Sequence, residues 1–168
     1  THEVLEKSRE IAVTRGLTPT DSWLQKALQL LKIQETQQGI IVAGDSGSGK
    51  STIISCVIEL LGQTEINIDP KVLKKHELFG QFYPSTRQWE DGLFTSLIRK
   101  INEDLRGGLQ KKFCIVFDGD IDPVWIESLN SVLDDNKTLT LPNGERLKIP
   151  RNTRFIFETD TLEHATPA

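Results

Sequence analysis

Two kinds of hydrophobic pattern alternate along the chain, and each predicts a different element. In the first, apolar residues recur every three or four positions, which places them on one face of a helix. The spacing is clearest after residue 92, where Leu93, Phe94, Leu97, Ile98 and Ile101 precede a Gly-Gly pair. Predicted helices cover about 3–14, a segment starting at Asp21 or Ser22, 50–61, a short segment opened by Pro70, 93–106, and 122–134.

The second pattern consists of short continuous apolar runs, which are typical of strands buried on both faces of a parallel sheet. These runs lie at residues 39–43, 113–117 and 154–157, and residues 65–68 are a further, brief strand candidate. Residues 139–147 predict two further short strands around an Asn-Gly turn, and 81–91 are expected to form a loop or a hairpin. Because strands alternate with helices, the sequence predicts an α/β domain with a mainly parallel sheet.

The composition narrows the classes of partner. The formal net charge is −4, whereas a nucleic-acid surface is usually basic, so no nucleic-acid partner is expected. No apolar run reaches the length of a membrane span, so no membrane partner is expected either. The two cysteines, Cys56 and Cys114, lie in apolar stretches and are interpreted as buried core residues. The chain contains no methionine, and we expect it to be part of a longer polypeptide.

The strongest chemical signal is the segment from Gly44 to Ser51, Gly-Asp-Ser-Gly-Ser-Gly-Lys-Ser, which matches the phosphate-binding loop pattern in full. It follows a predicted buried strand and opens a predicted helix, which is the context that the pattern requires. Its glycines let backbone N–H groups point at the phosphates, and the helix adds its positive N-terminal end. Lys50 is expected to reach the β and γ phosphates, Ser51 to bind Mg²⁺, and Thr52 to contact the α phosphate.

A second element of such a site is an acid at the carboxyl end of a neighbouring strand. Asp118 follows the apolar run 114–117, and we expect it to hold Mg²⁺ through bound water. Hydrolysis also needs a group that orients the attacking water, and many such enzymes place a glutamate directly after this aspartate. Here that position is Gly119, so binding is expected to be intact and hydrolysis weak or absent. Asp120, Asp122 and Glu158 are possible substitutes.

The last predicted strand ends in Glu158, Thr159 and Asp160, any of which could stand near the γ phosphate. We select Asp160, although a helix N-cap is an equally good interpretation of it. The predicted nucleotide-binding residues are thus Gly44, Asp45, Ser46, Gly47, Ser48, Gly49, Lys50, Ser51, Thr52 and Asp160, and the predicted metal ligands are Ser51 and Asp118. No catalytic residue is predicted.

Other conspicuous residues are interpreted as structural. The three histidines have no metal-ligand spacing, and Trp23 and Trp125 fit the core faces of helices. Trp89, between two charged neighbours in the irregular segment, is either a core residue or a contact point for another domain.

With these segments identified, the sequence closely resembles the AAA+ modules of cytoplasmic dynein heavy chains, and among them the second module of the ring. The resemblance covers about residues 21–168 and is more specific than the phosphate loop alone. It rests on 23–44, IDPK at 68–71, ELFG at 77–80, WEDGLFT at 89–95, VFDGDIDP at 116–123, LNSVLDDN at 129–136, and 139–147.

The resemblance implies the large α/β subdomain of a P-loop AAA+ module, with 1–38 as N-terminal helices and 39–168 as the core. It implies that the segment 85–92 and the hairpin at Asn143-Gly144 are insertions, the former directed toward the mechanical linker. The small helical lid and the Ser/Thr-Arg-Cys run of the family are expected beyond Ala168. Without them, this piece is expected to bind nucleotide less tightly than the intact ring.

The family further implies a cytoplasmic, microtubule-associated motor that moves toward the minus end of its track. The implied partners are neighbouring modules and the linker of the same heavy chain, microtubules, and the intermediate and light chains of dynein. In this family the second module is thought to hold ATP, or ADP, with Mg²⁺ without hydrolysing it, in line with Gly119.

Two alternatives remain at this point. The module could be a working AAA+ ATPase that uses Asp120 or an acid from a partner. A free-standing P-loop phosphotransferase is a further alternative, but the chain shows no acceptor pocket and no basic lid after the last strand.

Overall fold

The structure, a computed structural model, describes residues 2–16, 20–43, 50–70, 73–118, 129 and 137–159. The helices are α1 (His2–Thr14), α2 (Asp21–Thr36), α3 (Lys50–Leu60), α4 (Lys75–Leu78) and α5 (Leu93–Arg106). The strands are β1 (Gly39–Ala43), β2 (Gln63–Ile68), β3 (Gly80–Tyr83), β4 (Gln88–Asp91), β5 (Lys112–Asp118), β6 (Thr138–Thr140), β7 (Arg146–Lys148) and β8 (Thr153–Thr159).

Four strands form a parallel sheet in the order β1-β8-β5-β2, as the continuous apolar runs predict. The last strand lies between the first strand and β5, so its carboxyl end lies beside theirs. In an open sheet of this kind, ligands bind at the carboxyl ends of the strands. The predicted α/β class with a parallel sheet is confirmed.

The sheet is covered on both faces, and alternate residues of each strand point to opposite faces. One face packs against α2 and α3 through a cluster that includes Cys114, Val116 and Ile156. The other face packs against α4, α5 and the β6–β7 hairpin through Ile115, Phe117 and their neighbours. Both cysteines are buried free thiols, as predicted.

Phenylalanine rings fill the centre of the second face. Phe117 and Phe157 are partners on adjacent strands, and their rings stack with centroids 5.0 Å apart. Phe94 of α5 meets Phe117 and Phe155 edge-on, at 5.4 and 6.0 Å. Such ring pairs stabilise a core beyond the area that they bury. This contact fixes α5 against the middle of the sheet.

The segment 81–91, left open between loop and hairpin, forms the antiparallel β3–β4 hairpin. Trp89 is half-buried, packs against the core and donates a hydrogen bond from Nε1 to Asp91 at 2.7 Å. The predicted strands around Asn143-Gly144 are β6 and β7. Arg99 of α5 joins the two hairpins, since its guanidinium pairs with Asp91 at 2.7 Å and with Glu145 at 2.5 Å.

Two helix starts differ from the prediction. The N-cap of α2 is Thr20, whose hydroxyl accepts the N–H of Trp23 at 3.1 Å, rather than Asp21 or Ser22. The fourth helix begins at Lys75 rather than at Pro70, because the Glu77 carboxylate accepts the N–H of Lys74 and closes the first turn there. Of the predicted helix 122–134 the structure describes Leu129, which is helical and buried, while Trp125 and the other positions of that segment lie outside the described residues. Residues 119–123 of the VFDGDIDP run lie outside them as well.

Among the described helices, none combines the length and the apolar content that a membrane crossing requires.

Candidate nucleotide site

Strand β1 ends at Ala43 and helix α3 begins at Lys50, so the predicted loop stands between a strand of the sheet and a helix. This strand–loop–helix context is the one that the phosphate-loop pattern requires. Gly44, Asp45, Ser46, Gly47, Ser48, Gly49 and the Lys50 side chain lie outside what the structure describes. Ser51 and Thr52 lie in the first turn of α3, where Ser51 is exposed and Thr52 is half-buried.

Asp118 is the last residue of β5 and is exposed at the carboxyl edge of the sheet. Its register partner on the adjacent strand is Glu158. Both residues follow Val116 and Ile156 by two positions, so the alternation of the strands directs them to the α3 face. Two carboxylates therefore stand side by side at the edge where α3 begins.

The two carboxylates differ in their surroundings. Glu158 is 4% exposed, and its Oε1 accepts a hydrogen bond of 2.5 Å from the Ser51 hydroxyl. A buried carboxylate is costly unless hydrogen bonds or a cation compensate its charge. The hydroxyl that the motif assigns to Mg²⁺ is thus held by a residue of β8, 107 positions away.

Glu158 is one of the three candidates predicted at this strand end, of which we selected Asp160. Asp160, Gly119, Asp120 and Asp122 lie outside the described residues, and their roles stay predictions. What distinguishes Glu158 is its contact with Ser51, which the strand order creates and no local pattern specifies. The alternation of a strand does not separate the two candidates, because positions 158 and 160 have the same parity.

The side chains at this edge suit a magnesium ion. Ser51, Asp118 and Glu158 offer hydroxyl and carboxylate oxygens, the hard ligands that Mg²⁺ prefers. Within the described residues, no three His, Cys, Asp or Glu side chains come together as a metal site. Mg²⁺ usually binds through few protein groups together with water and substrate phosphates, so the donor set fits a metal–nucleotide complex rather than a bare ion.

Two grooves in the described part of the chain lie at the opposite edge of the sheet. One, of about 630 Å³, lies between the end of α5 and residues 147–151. The other, of about 570 Å³, is lined by Gln63, Lys112 and Asn152, at the amino ends of their strands. Neither groove contacts Asp118 or Glu158, so neither belongs to the predicted nucleotide site.

Comparison with known proteins agrees with this arrangement. A family model described as AAA domain (dynein-related subfamily) matches residues 39–167. The chain is 50% identical over 99% of its length to "Dynein heavy chain, cytoplasmic" of Fusarium vanettenii. It is 49% identical over 88% of its length to the protein of that name in Drosophila melanogaster, and 45% identical over 99% to that of Dictyostelium discoideum.

The match covers a small part of these relatives, because the chain spans only 3–4% of their length. The family model nevertheless covers most of the chain, from β1 to beyond β8. The parallel sheet flanked by helices is the large-subdomain architecture expected of a P-loop AAA+ module. The chain belongs to the dynein-related subfamily of AAA domains.

Proposed function

We propose that this chain is a module of a dynein heavy chain that binds ATP with Mg²⁺ and retains it without efficient hydrolysis. The observation that carries the proposal is the convergence of Ser51, Asp118 and Glu158 at the edge of the sheet where the phosphate loop enters α3. Ser51 and Asp118 would hold the cation beside Glu158, and the loop would hold the phosphates.

Each predicted residue then has a defined task. Backbone N–H groups of 44–49 would surround the phosphates, and Lys50 would neutralise the β and γ phosphates. Thr52, in the first turn of α3, would contact the α phosphate. Ser51 would hold Mg²⁺ directly and Asp118 through water, while Asp160 would act near the γ phosphate. The bound metal supplies charge neutralisation of the phosphates.

The proposal of slow hydrolysis rests on the residue after Asp118. Gly119 has no side chain with which to orient or deprotonate a water molecule. Glu158, the described carboxylate nearest to Ser51, is engaged by the Ser51 hydroxyl and buried, which supports a role at the metal rather than as a base. A nucleotide bound here would remain a triphosphate for much longer than one at a hydrolysing site.

The wider assignment follows the family. We infer that the module is the second of the ring, with 1–38 as N-terminal helices and 39–168 as its core. Its partners would be neighbouring modules, the linker, the associated intermediate and light chains, and microtubules, in a cytoplasmic motor on the cytoskeleton. The retained nucleotide would rigidify this part of the ring and help to transmit movement to the linker.

Lys50→Ala tests binding at this site. Purified full-length polypeptide is denatured, and the released nucleotide is counted per chain. Because Lys50 is expected to neutralise two phosphates, the variant should release about one nucleotide fewer than the wild type. Lys26→Ala, a change at an exposed position of α2, is the matched control and should release as much as the wild type. Equal release from the Lys50→Ala variant and the wild type would rule out the proposed site.

A further inference from the structure

Glu158 is a buried carboxylate for which the phosphate-loop motif has no assigned role. It is 4% exposed at the carboxyl end of β8, between Val42 of β1 and Asp118 of β5 in the register of the sheet. Among the side chains that the structure describes, which leave out Lys50, no basic group forms an ion pair with it. Its Oε1 accepts a hydrogen bond of 2.5 Å from the Ser51 hydroxyl.

That contact determines how Ser51 can meet a cation. A hydroxyl has one proton to donate and two lone pairs with which to accept or ligate. Since the proton is directed to Glu158, the lone pairs of the Ser51 oxygen remain available on its other side. An oxygen held in this way is a better metal ligand, because a hydrogen bond to a carboxylate raises its electron density and fixes its direction.

The neighbouring strand supplies the second carboxylate. Asp118 is the register partner of Glu158 and lies on the same face of the sheet. Two negative charges at one sheet edge repel each other and also repel the phosphates of a nucleotide. A divalent cation bound here would offset both repulsions. A nucleotide without metal would instead lie near two uncompensated carboxylates.

We propose that Glu158 is a positioning residue of the magnesium site, which holds the Ser51 hydroxyl toward the cation and makes nucleotide binding depend on Mg²⁺. The inference rests on the proposed function, since it concerns the same nucleotide. The carboxylate that orients Ser51 is therefore Glu158 of β8 and not Asp118 of β5. Glu158 acts through Ser51 and through its charge, without contact with the reacting phosphate.

The test measures ATP occupancy of the full-length polypeptide as a function of buffered free Mg²⁺, with the signal of the Lys50→Ala variant subtracted to isolate this site. Glu158→Ala removes the acceptor and the charge, and should raise the Mg²⁺ concentration at half occupancy by roughly 10- to 100-fold. Glu158→Gln keeps the shape and an acceptor oxygen, and should give a smaller rise. In EDTA, both variants should bind ATP at least as well as the wild type, because a negative charge near the phosphates is gone.

The EDTA arm separates this role from a structural one. If Glu158 only supported the fold, both substitutions would weaken ATP binding equally with and without Mg²⁺, and that result would overturn the inference. An unchanged Mg²⁺ requirement would overturn it too. Should the alanine variant fail to fold, the glutamine variant decides alone. Glu103→Gln, an exposed change on α5, is the control and should leave the Mg²⁺ curve unmoved.

The same data distinguish this inference from the proposed function. If wild type and the Lys50→Ala variant have the same occupancy at every Mg²⁺ concentration, the module does not bind nucleotide and both proposals fail. If the wild type shows the additional occupancy but the Glu158 variants follow its Mg²⁺ curve, only the role of Glu158 fails.

Discussion

The environment of Cys114 shows how strongly burial acts on a single side chain in this sheet. The thiol is fully buried in the middle of β5, and the Gln34 amide donates a hydrogen bond to its sulfur at 3.3 Å. Burial raises the pKa of Cys114 from 9.0 to about 12, and the hydrogen bond from Gln34 opposes this only in part. The thiol is therefore protonated and chemically inert at neutral pH, which agrees with a core role rather than a redox role.

This raised pKa gives the first residue-scale prediction. The folded protein binds the thiol proton more tightly than the unfolded chain, so the contribution to stability is complete below pH 9 and is lost as pH rises toward 12. Between pH 8 and 10.5 the wild type should lose about 2 kcal/mol more unfolding free energy than the Cys114→Ala variant. Urea unfolding at the two pH values measures this difference. An identical pH dependence of the two proteins would contradict the burial argument.

At the scale of the element, Gly92 determines how α5 starts. It lies between β4 and α5, where the end of α4 passes closely over the chain. A Cβ atom at this position would lie 2.4 Å from the carbonyl carbon of Leu78, much closer than real Cβ contacts. Because that neighbour is backbone, it cannot move aside without shifting α4. If Gly92 moves instead, the buried ring of Phe94, two residues later in α5, is displaced.

Gly92→Ala should accordingly destabilise the protein by about 1–3 kcal/mol, the usual cost of overpacking a tight contact. Gly107→Ala is the matched control at the other end of α5, where a Cβ would have an ordinary contact of 3.4 Å with Asp104. The control should change stability by about 0.5 kcal/mol or less, and can raise it by restricting the unfolded chain. Thermal unfolding of both variants measures the difference, and equal midpoints would show that the contact at Leu78 does not matter.

The elements also show which parts of the fold could be predicted from the sequence. The apolar runs predict β1, β5 and β8 because strands buried on both faces leave a continuous pattern. The start of α4 was not predictable in the same way, since Pro70 is only one of several signals and the Glu77 carboxylate closes the turn at Lys74. Arg99 pairs with Asp91, 8 positions away, and with Glu145, 46 positions away. No local sequence pattern specifies this bridge.

For the whole molecule, the order of the strands brings the site together. Ser51 and Glu158 lie 107 positions apart, and they meet because β8 lies next to β1. Local motifs predict the phosphate loop and place Asp118 at the end of β5, where the structure has it, whereas the contact partner of Ser51 depends on the strand order. Centrally, we propose that the assembled site binds ATP and does not hydrolyse it efficiently, because Gly119 has no side chain to deprotonate an attacking water molecule.

The most direct measurement of that claim is a single-turnover experiment with γ-labelled ATP and Mg²⁺ on the full-length polypeptide and its Lys50→Ala variant. Labelled ATP retained after mixing and phosphate released over time are quantified for both. The account predicts about one more ATP retained per wild-type chain than per variant chain, with no matching phosphate released over minutes. Release of one extra phosphate per wild-type chain within seconds, lost on Asp120→Ala, would identify a hydrolysing module and contradict the account.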